Sequence, residues 1–160
     1  MNDIANIYTK ILCSEVMNKN FVTINEDDEF SLAEEKFVVH GIYYLIVLRG
    51  RELAGLISHK YLYKTQSPRK ILGDGIDYNP NIVIDGDAFY DKETLDSYIL
   101  EHIMLKDPFT LGPDNTLADV VQAMSKRKIG CIPIIDKKRK VLGIITEKDL
   151  IKYIAVSIGS

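Results

Sequence analysis

Two neighbouring stretches decide the fold: CIPII at 131–135 and VLGIITEKDL at 141–150. The first stretch and the start of the second are apolar runs of strand length, and a charged turn, Asp136–Lys140, joins them. Thr146 then opens a predicted helix that runs from Glu147 to about Ala155. The sequence here predicts two paired strands followed by a helix.

A further helix and a short extended segment precede these strands. One face of the helix is formed by Leu117, Val120, Val121 and Met124. Thr116 and Asp119 stand at the spacing of a capping box, and Phe109–Leu111 reads as an extended segment. The predicted order is strand, helix, strand, strand, helix. Uninterrupted apolar strands indicate sheets that are covered by helices.

The same pattern occurs once before, 87 or 88 residues upstream. Its parts are Phe21–Ile24, the helical positions Phe30, Ala33 and Phe37, the runs Tyr43–Leu48 and Leu53–Ile57, and a helix after Ser58. The offset changes by one within a turn-like segment, where a change of length is best tolerated. The sequence therefore predicts a tandem duplication, an α/β (α+β) chain of two βαββα repeats.

Two segments lie outside the repeats. The first is an apolar helical stripe formed by Ile4, Ile7, Tyr8, Ile11 and Leu12, with Asp3 as its cap. The second is a turn-rich linker at 65–93, from which a helix, Asp91 to about Met104, leads into the second repeat. We therefore divide the chain into 1–64 (N-terminal helix and repeat 1), 65–93 (linker) and 94–160 (repeat 2).

Composition narrows the class of protein. The 160 residues include 20 Lys and Arg against 23 Asp and Glu, a net charge of −3, which is untypical of a nucleic-acid binder. No apolar run reaches the length of a membrane span, and the first residues do not resemble a signal peptide. Cys13 and Cys131 are too few for a zinc site, and no metal site is expected. These features favour a cytoplasmic protein.

The second repeat resembles a cystathionine-β-synthase (CBS) domain, on the residues of 129–136 and 141–150. The first repeat is more divergent but agrees in register, so the chain resembles a stand-alone CBS pair, or Bateman module. The resemblance implies two βαββα repeats packed sheet to sheet with pseudo-twofold symmetry. It also implies two clefts that hold AMP, ADP, ATP or S-adenosylmethionine, and no catalytic cofactor.

Thr146 and Asp149 carry the sharpest local signal. A carboxylate can accept two hydrogen bonds from the hydroxyls of a ribose, and a threonine hydroxyl can add one more. The same spacing is also that of a capping box, which needs no ligand. The resemblance favours the ribose role, and Thr146 can serve both.

The resemblance also implies where the rest of the ligand lies. Its adenine would contact Phe21, Val22 and Thr23 of one segment, Ile42, Tyr43 and Tyr44 of another, and Ile144 beneath. The two tyrosines can stack on a base or simply pack in the core. Lys60 and Lys148 are the candidates for phosphate contacts, but each also reads as a solvated lysine.

The second cleft is predicted to be degenerate. Ser58 keeps the hydroxyl, but Tyr61 stands where repeat 2 has Asp149, and a phenol cannot chelate a diol. Gly130 and Cys131 would face a ligand there and provide no charge, and Cys131 within an apolar strand reads as inert core. We expect one occupied cleft per chain.

Three functions are compared. The first is a ligand sensor that is not an enzyme and acts on an unknown regulated partner. The second is a ligand-free module for dimerisation, in which the Thr146 motif only caps a helix. The third, an enzyme using acids of the linker, lacks any pairing of a base with a nucleophile.

A homodimer joined through helices is expected, since exposed apolar faces need burial. The basic run Lys137–Lys140 reads as a solvated turn.

Overall fold

The computed structural model describes residues 8–59, 82–85, 88–91 and 100–159. In chain order the elements are α1 (Cys13–Val16), β1 (Thr23–Asn25), α2 (Phe30–His40), β2 (Tyr44–Arg49), β3 (Glu52–Ser58), β4 (Ile82–Asp85), β5 (Ala88–Asp91), α3 (Leu100–Ile103), β6 (Leu105–Lys106), α4 (Leu117–Arg127), β7 (Cys131–Ile135), β8 (Val141–Thr146) and α5 (Glu147–Ser157). By contacts the chain divides into two compact units. Unit 1 comprises the described parts of Met1–Phe21, Arg49–Ala54 and Asp107–Ser160, and unit 2 those of Val22–Leu48 and Gly55–Lys106.

Repeat 1 forms a four-stranded sheet in the order β1-β2-β3-β6. β1 is parallel to β2, with Ile24 opposite Val47, and β6 is antiparallel to β3, with Leu105 opposite Leu56. Three consecutive residues of β2 and the inner face of α2 are fully buried, because the helix covers the sheet. The apolar positions Phe30, Ala33 and Phe37 of α2 are at most 1% exposed, as their helical spacing predicts.

Repeat 2 forms an antiparallel pair, β7 and β8, with Ile132 opposite Ile145. Isolated bridges continue this pair on both edges: Leu111 runs parallel to Ile134, and Asn18 antiparallel to Ile144. The core of unit 1 lies between this sheet and helices α1 and α4. Its buried members are Cys13, Leu117, Val120, Ala123, Met124, Ile132, Ile134 and Ile145.

Each sheet is completed by the segment that precedes the first strand of the other repeat. β6, just before the first extended segment of repeat 2, pairs with β3 of repeat 1, and Asn18, just before the first strand of repeat 1, pairs with β8 of repeat 2. Leu105 and Asn18 are themselves related by the repeat offset of 87 residues. This exchange explains why the compact units do not follow the order of the repeats along the chain.

Equivalent glycines make the two exchanges possible. A Cβ atom on Gly143 would lie 2.9 Å from the Cγ and Sδ of Met17 and 3.0 Å from the carbonyl oxygen of Asn18. A Cβ atom on Gly55 would collide with the side chain of Met104 and approach the carbonyl oxygen of Leu105 to 2.9 Å. Because the obstacles include backbone, neither position has room for a side chain.

Gly143→Ala is therefore expected to destabilise the protein by about 1–3 kcal/mol, the usual cost of overpacking a well-packed interior. The matched control is Gly112→Ala, since a Cβ atom there meets its nearest neighbour, Asn115 Oδ1, at an ordinary 3.6 Å. Urea unfolding followed by circular dichroism measures both variants. Equal stability of the two variants would contradict the exchange of segments.

The structure corrects three expectations. The predicted helix does not run through Leu12: residues 9–12 are not helical, and Leu12 bridges to Thr116 while Cys13 N–H donates to Asn115 O at 2.8 Å. These backbone groups bond to repeat 2 instead of closing helical turns. The proposed part of this stripe at Ile4 and Ile7, and its cap Asp3, lie outside the described residues.

Asp91 does not begin a helix, because it ends β5, which pairs with β4 in an antiparallel hairpin within the predicted linker. The described helix before repeat 2 is α3, at Leu100–Ile103. Val121, counted on the apolar face of α4, is 44% exposed, and Ala123 takes the buried position. The α+β class and the two repeated units are confirmed; the boundaries 1–64, 65–93 and 94–160 stay predictions.

Candidate functional site: the turn between β8 and α5

Thr146 and Asp149 form a closed capping box where β8 passes into α5. The Thr146 backbone N–H donates to Asp149 Oδ2 at 2.9 Å, and the Thr146 hydroxyl donates to the same oxygen at 2.6 Å. In return the Asp149 N–H donates to Thr146 Oγ1 at 3.2 Å. The sequence prediction of a capping box here is confirmed.

An almost identical box begins α4. Thr116 N–H and its hydroxyl donate to Asp119 Oδ2 at 2.8 and 3.1 Å, and the Asp119 N–H donates to Thr116 Oγ1 at 3.3 Å. The Thr116 backbone hydrogen bond is the main cause that holds the pKa of Asp119 below its ordinary value of 3.8. This cap therefore persists at neutral pH and weakens only as pH falls through the lowered pKa.

The two boxes differ in what surrounds them. Asp119 is exposed, and its Oδ2 also accepts from the Asn115 side chain at 3.3 Å, whereas Asp149 is half-buried. All hydrogen bonds to the Asp149 carboxylate fall on Oδ2, and the described residues supply no donor to Oδ1. Asp149 thus retains a carboxylate oxygen that can accept hydroxyl hydrogen bonds while the helix stays capped.

Repeat 1 has aromatic residues at the equivalent turn. The His59 N–H, next to Ser58, donates to Tyr43 O at 2.7 Å. The imidazole lies edge to face against two rings, with centroids 5.5 Å from Tyr43 and 5.8 Å from Phe37. Tyr43 is 55% exposed, so it is not a core residue, while Tyr44 is half-buried. His59 thus joins Tyr43 and Phe37 in an aromatic cluster of unit 2, and no sequence motif singles it out.

The remaining predicted residues divide between the two units. Unit 1 contains Phe21, Ile144 and Lys148, of which Phe21 is half-buried, Ile144 is buried in β8 and Lys148 is exposed in the first turn of α5. Unit 2 contains Val22, Thr23, Ile42, Tyr43, Tyr44 and Ser58. Lys60 and Tyr61 lie outside the described residues. That these side chains frame one adenine stays a prediction.

Gly130 and Cys131 lie beside the turn of their own repeat. The Glu147 N–H at the start of α5 donates to Gly130 O at 3.1 Å, and Cys131 is the strand partner of Thr146. The Cys131 side chain is 3% exposed, in agreement with its interpretation as core. Their assignment to the second, degenerate cleft is untested.

Burial makes both thiols poor nucleophiles. Desolvation raises the pKa of the Cys131 thiol far above its ordinary value of 9.0, and the negative charge of Asp149 raises it further. Desolvation, and then the charge of Asp119, raise the pKa of Cys13 to about 11. Thiolate, the reactive form, is therefore scarce in the folded protein at neutral pH.

Thiol titration with an aromatic disulfide reagent at pH 8 should detect neither cysteine in the native protein and both after unfolding in guanidinium chloride. The raised pKa values also imply that stability falls as pH rises above about 9, because only the unfolded thiols then lose protons readily. Rapid native labelling of Cys131 would show that β7 is open to solvent. Labelling only after unfolding agrees with the buried strand.

With this geometry established, comparison with known proteins identifies the family. A profile of the CBS domain matches the chain twice, at residues 13–67 and 100–156. The two matches cover most of the chain and coincide with the two repeats. The chain therefore belongs to the CBS domain family and contains a tandem pair of CBS domains, as the resemblance in the sequence implies.

The relatives that this chain matches include one protein of similar length and one much longer enzyme. The CBS domain-containing protein DDB_G0289609 of Dictyostelium discoideum is 26% identical over 144 residues, which cover 89% of this chain and 90% of that protein. An inosine-5′-monophosphate dehydrogenase of Korarchaeum cryptofilum is 24% identical over 132 residues, 82% of this chain. This match spans only 22% of that longer relative.

The fold is that of solved CBS pairs. The crystal structure of the CBS domain pair of protein MJ0100, in complex with 5′-methylthioadenosine and S-adenosyl-L-methionine, superposes with a TM-score of 0.68. The match covers 91% of this chain and 97% of that one at 20% sequence identity, a likeness of fold.

No described helix is long and apolar enough to cross a membrane, and the described residues contain no cluster of three potential metal ligands.

Proposed function

We propose that this chain is a non-catalytic sensor module that binds an adenosyl compound at Thr146 and Asp149. The observation that carries the proposal is the geometry of the Asp149 carboxylate. Oδ2 caps α5, while Oδ1 has no donor among the described residues. A ribose diol supplies the donors that such an oxygen binds best, and the charge of the carboxylate strengthens these hydrogen bonds.

The lack of charge at the expected phosphate-contact positions favours ligands whose recognition does not depend on phosphate. Tyr43 and Tyr44 stand where the family resemblance implies phosphate-binding cations for the Asp149 cleft, as Gly130 and Cys131 do for the second cleft, and only Lys60 and Lys148 remain as candidates. The solved CBS pair of protein MJ0100 was crystallised with two adenosyl ligands that carry no phosphate. We therefore expect S-adenosylmethionine or 5′-methylthioadenosine to bind at least as well as AMP, ADP or ATP.

Binding without turnover is sufficient for such a module. A ligand that prefers one arrangement of the protein shifts the population toward it, and a regulated partner protein reads the change. CBS domain pairs are generally regulatory rather than catalytic.

Two buried, unpaired cysteines suit a reducing compartment, and we propose a cytoplasmic location on that ground.

The competing function is a ligand-free scaffold that acts through protein contacts. One observation favours it: the Thr146 box is as complete as the Thr116 box, so the motif is explained by capping alone. The apolar residues exposed along α5 favour contacts with protein in either case. The two functions differ only in whether a small molecule binds.

A panel of adenosyl compounds separates the two functions. At about 100 times its Kd, a ligand should stabilise the protein by about 2.7 kcal/mol, which raises the melting temperature of a chain of this size by about 5–10 °C. Guanosine and cytidine compounds serve as controls for the base. A shift with adenosyl compounds alone supports the sensor. No shift with any of them favours the scaffold.

A further inference from the structure

Two turns from different parts of the sequence lie side by side in unit 1. The turn between β2 and β3 and the turn between β7 and β8 are joined by backbone, since Leu53 N–H donates to Arg139 O at 3.0 Å. The Arg139 guanidinium donates back to Leu53 O at 3.3 Å. This juxtaposition was not evident from the sequence, where the turns are more than 80 residues apart.

Both turns are basic, and together they present five exposed cationic side chains that define the two-turn basic surface: Arg51, Lys137, Lys138, Arg139 and Lys140. The nearby acids are Glu52, Asp107 and Asp136, which leaves a local excess of two positive charges on a chain whose net charge is −3. From its sequence, the second turn is interpreted as a solvated turn.

Two of the three acids next to the surface, Asp136 and Asp107, are already engaged. Asp136 Oδ1 accepts the backbone N–H groups of Lys138 and Lys140 at 2.8 and 2.9 Å, which fixes the turn. Asp107 pairs with Arg139 at 3.4 Å. Within the described residues, no carboxylate lies within ion-pair distance of the Lys137, Lys138 or Lys140 ammonium groups. Cationic side chains held close together on a chain of net negative charge create a local positive potential, which attracts an anionic partner.

We propose that the two-turn basic surface binds an acidic segment of a partner protein, a run of Asp and Glu side chains. Arginine guanidiniums take carboxylates in pairs of parallel hydrogen bonds, and the lysines add charge. The turns contain no aromatic residue on which a base could stack, which disfavours single-stranded nucleic acid. Leu53 and Val141, which flank the surface, are at most 7% exposed, so neither side chain is available for insertion into a membrane.

The test uses the full chain without any adenosyl ligand. A fluorescein-labelled decaglutamate peptide is titrated with protein at about 50 mM salt and its anisotropy recorded, with a neutral peptide of the same length for comparison. The triple variant Lys137→Ser, Lys138→Ser, Lys140→Ser should bind about tenfold more weakly. The matched control, Lys19→Ser, Lys126→Ser, Lys152→Ser, removes the same charge from exposed positions elsewhere and should change binding by less than about threefold.

Several results would overturn the proposal: no binding of decaglutamate by the wild type, equal losses in both triple variants, or tighter binding of a single-stranded oligonucleotide of equal charge. Binding that weakens strongly at about 300 mM salt supports a surface of exposed charges. Melting temperatures of both variants verify the fold. Adenosyl binding is measured on the same samples, so a failure here is distinguishable from a failure of the sensor function.

Discussion

Replacing Asp149 by alanine should abolish adenosyl binding while leaving the protein folded. The variant loses both the capping oxygen and the oxygen available to the ribose, but the cap alone is worth only about 0.5–1 kcal/mol. We expect the rise in melting temperature of about 5–10 °C, which saturating ligand should cause in the wild type, to disappear. Differential scanning fluorimetry with and without ligand measures both effects at once.

Asp119→Ala is the matched control for this variant. It opens a capping box with nearly the same hydrogen bonds, so the loss of stability should be similar. Asp119 is exposed and begins α4 rather than α5, and ligand binding should be unchanged. If Asp149→Ala retains the affinity of the wild type, Asp149 is only a cap and the proposed site is misplaced.

The double variant Ile151→Glu, Ile158→Glu should be a monomer, whereas the wild type should be a homodimer. No residue of α5 is fully buried, and Ile151, Ile154 and, just beyond the helix, Ile158 are 68%, 39% and 79% exposed at a spacing of one helical face. We propose that a second copy of the chain covers this face, because monomers rarely leave such a stripe in water. Charges placed there remain solvated only in the monomer.

Light scattering coupled to size exclusion is the measurement. The wild type should have about twice the chain mass of 18.1 kDa, and the double variant about the chain mass itself. Val39→Glu on α2, also at a strongly exposed position (69%), is the control and should remain dimeric. A wild type that is monomeric at micromolar concentration would contradict the proposal.

Local pattern was enough to predict most elements of the fold. The spacing of Phe30, Ala33 and Phe37 placed α2, because residues three and four positions apart share a helix face. The Thr116 and Thr146 boxes located the starts of α4 and α5, since caps depend on neighbouring residues only. The internal repeat then extended these predictions to the weaker copy.

Non-local pairing was not predictable in this way. The hydrogen bonds that Ile11 and Cys13 make with repeat 2 prevent a helix through Leu12, and no local pattern encodes them. Gly143 and Gly55 are glycines because distant segments pass over them, which only the fold reveals. Likewise Tyr43 meets His59 across the sheet, and the two basic turns meet through Leu53 and Arg139.

The candidate site was predictable as a motif but not as a function. Thr146 and Asp149 satisfy each other in the folded chain whatever else they bind. The sequence could not distinguish cap from ribose ligand, because both roles use the same atoms at the same spacing. The structure adds that the capping bonds occupy Oδ2 and that no described residue donates to Oδ1.

Isothermal titration of the full chain with 5′-methylthioadenosine, S-adenosylmethionine, AMP, ADP and ATP tests the central claim most directly. We predict saturable binding of at least one adenosyl compound with a stoichiometry of about one per chain, because Tyr61 replaces the acid in repeat 1. The same titration of Asp149→Ala should show no binding. Absence of binding by every compound to the wild type would contradict the claim.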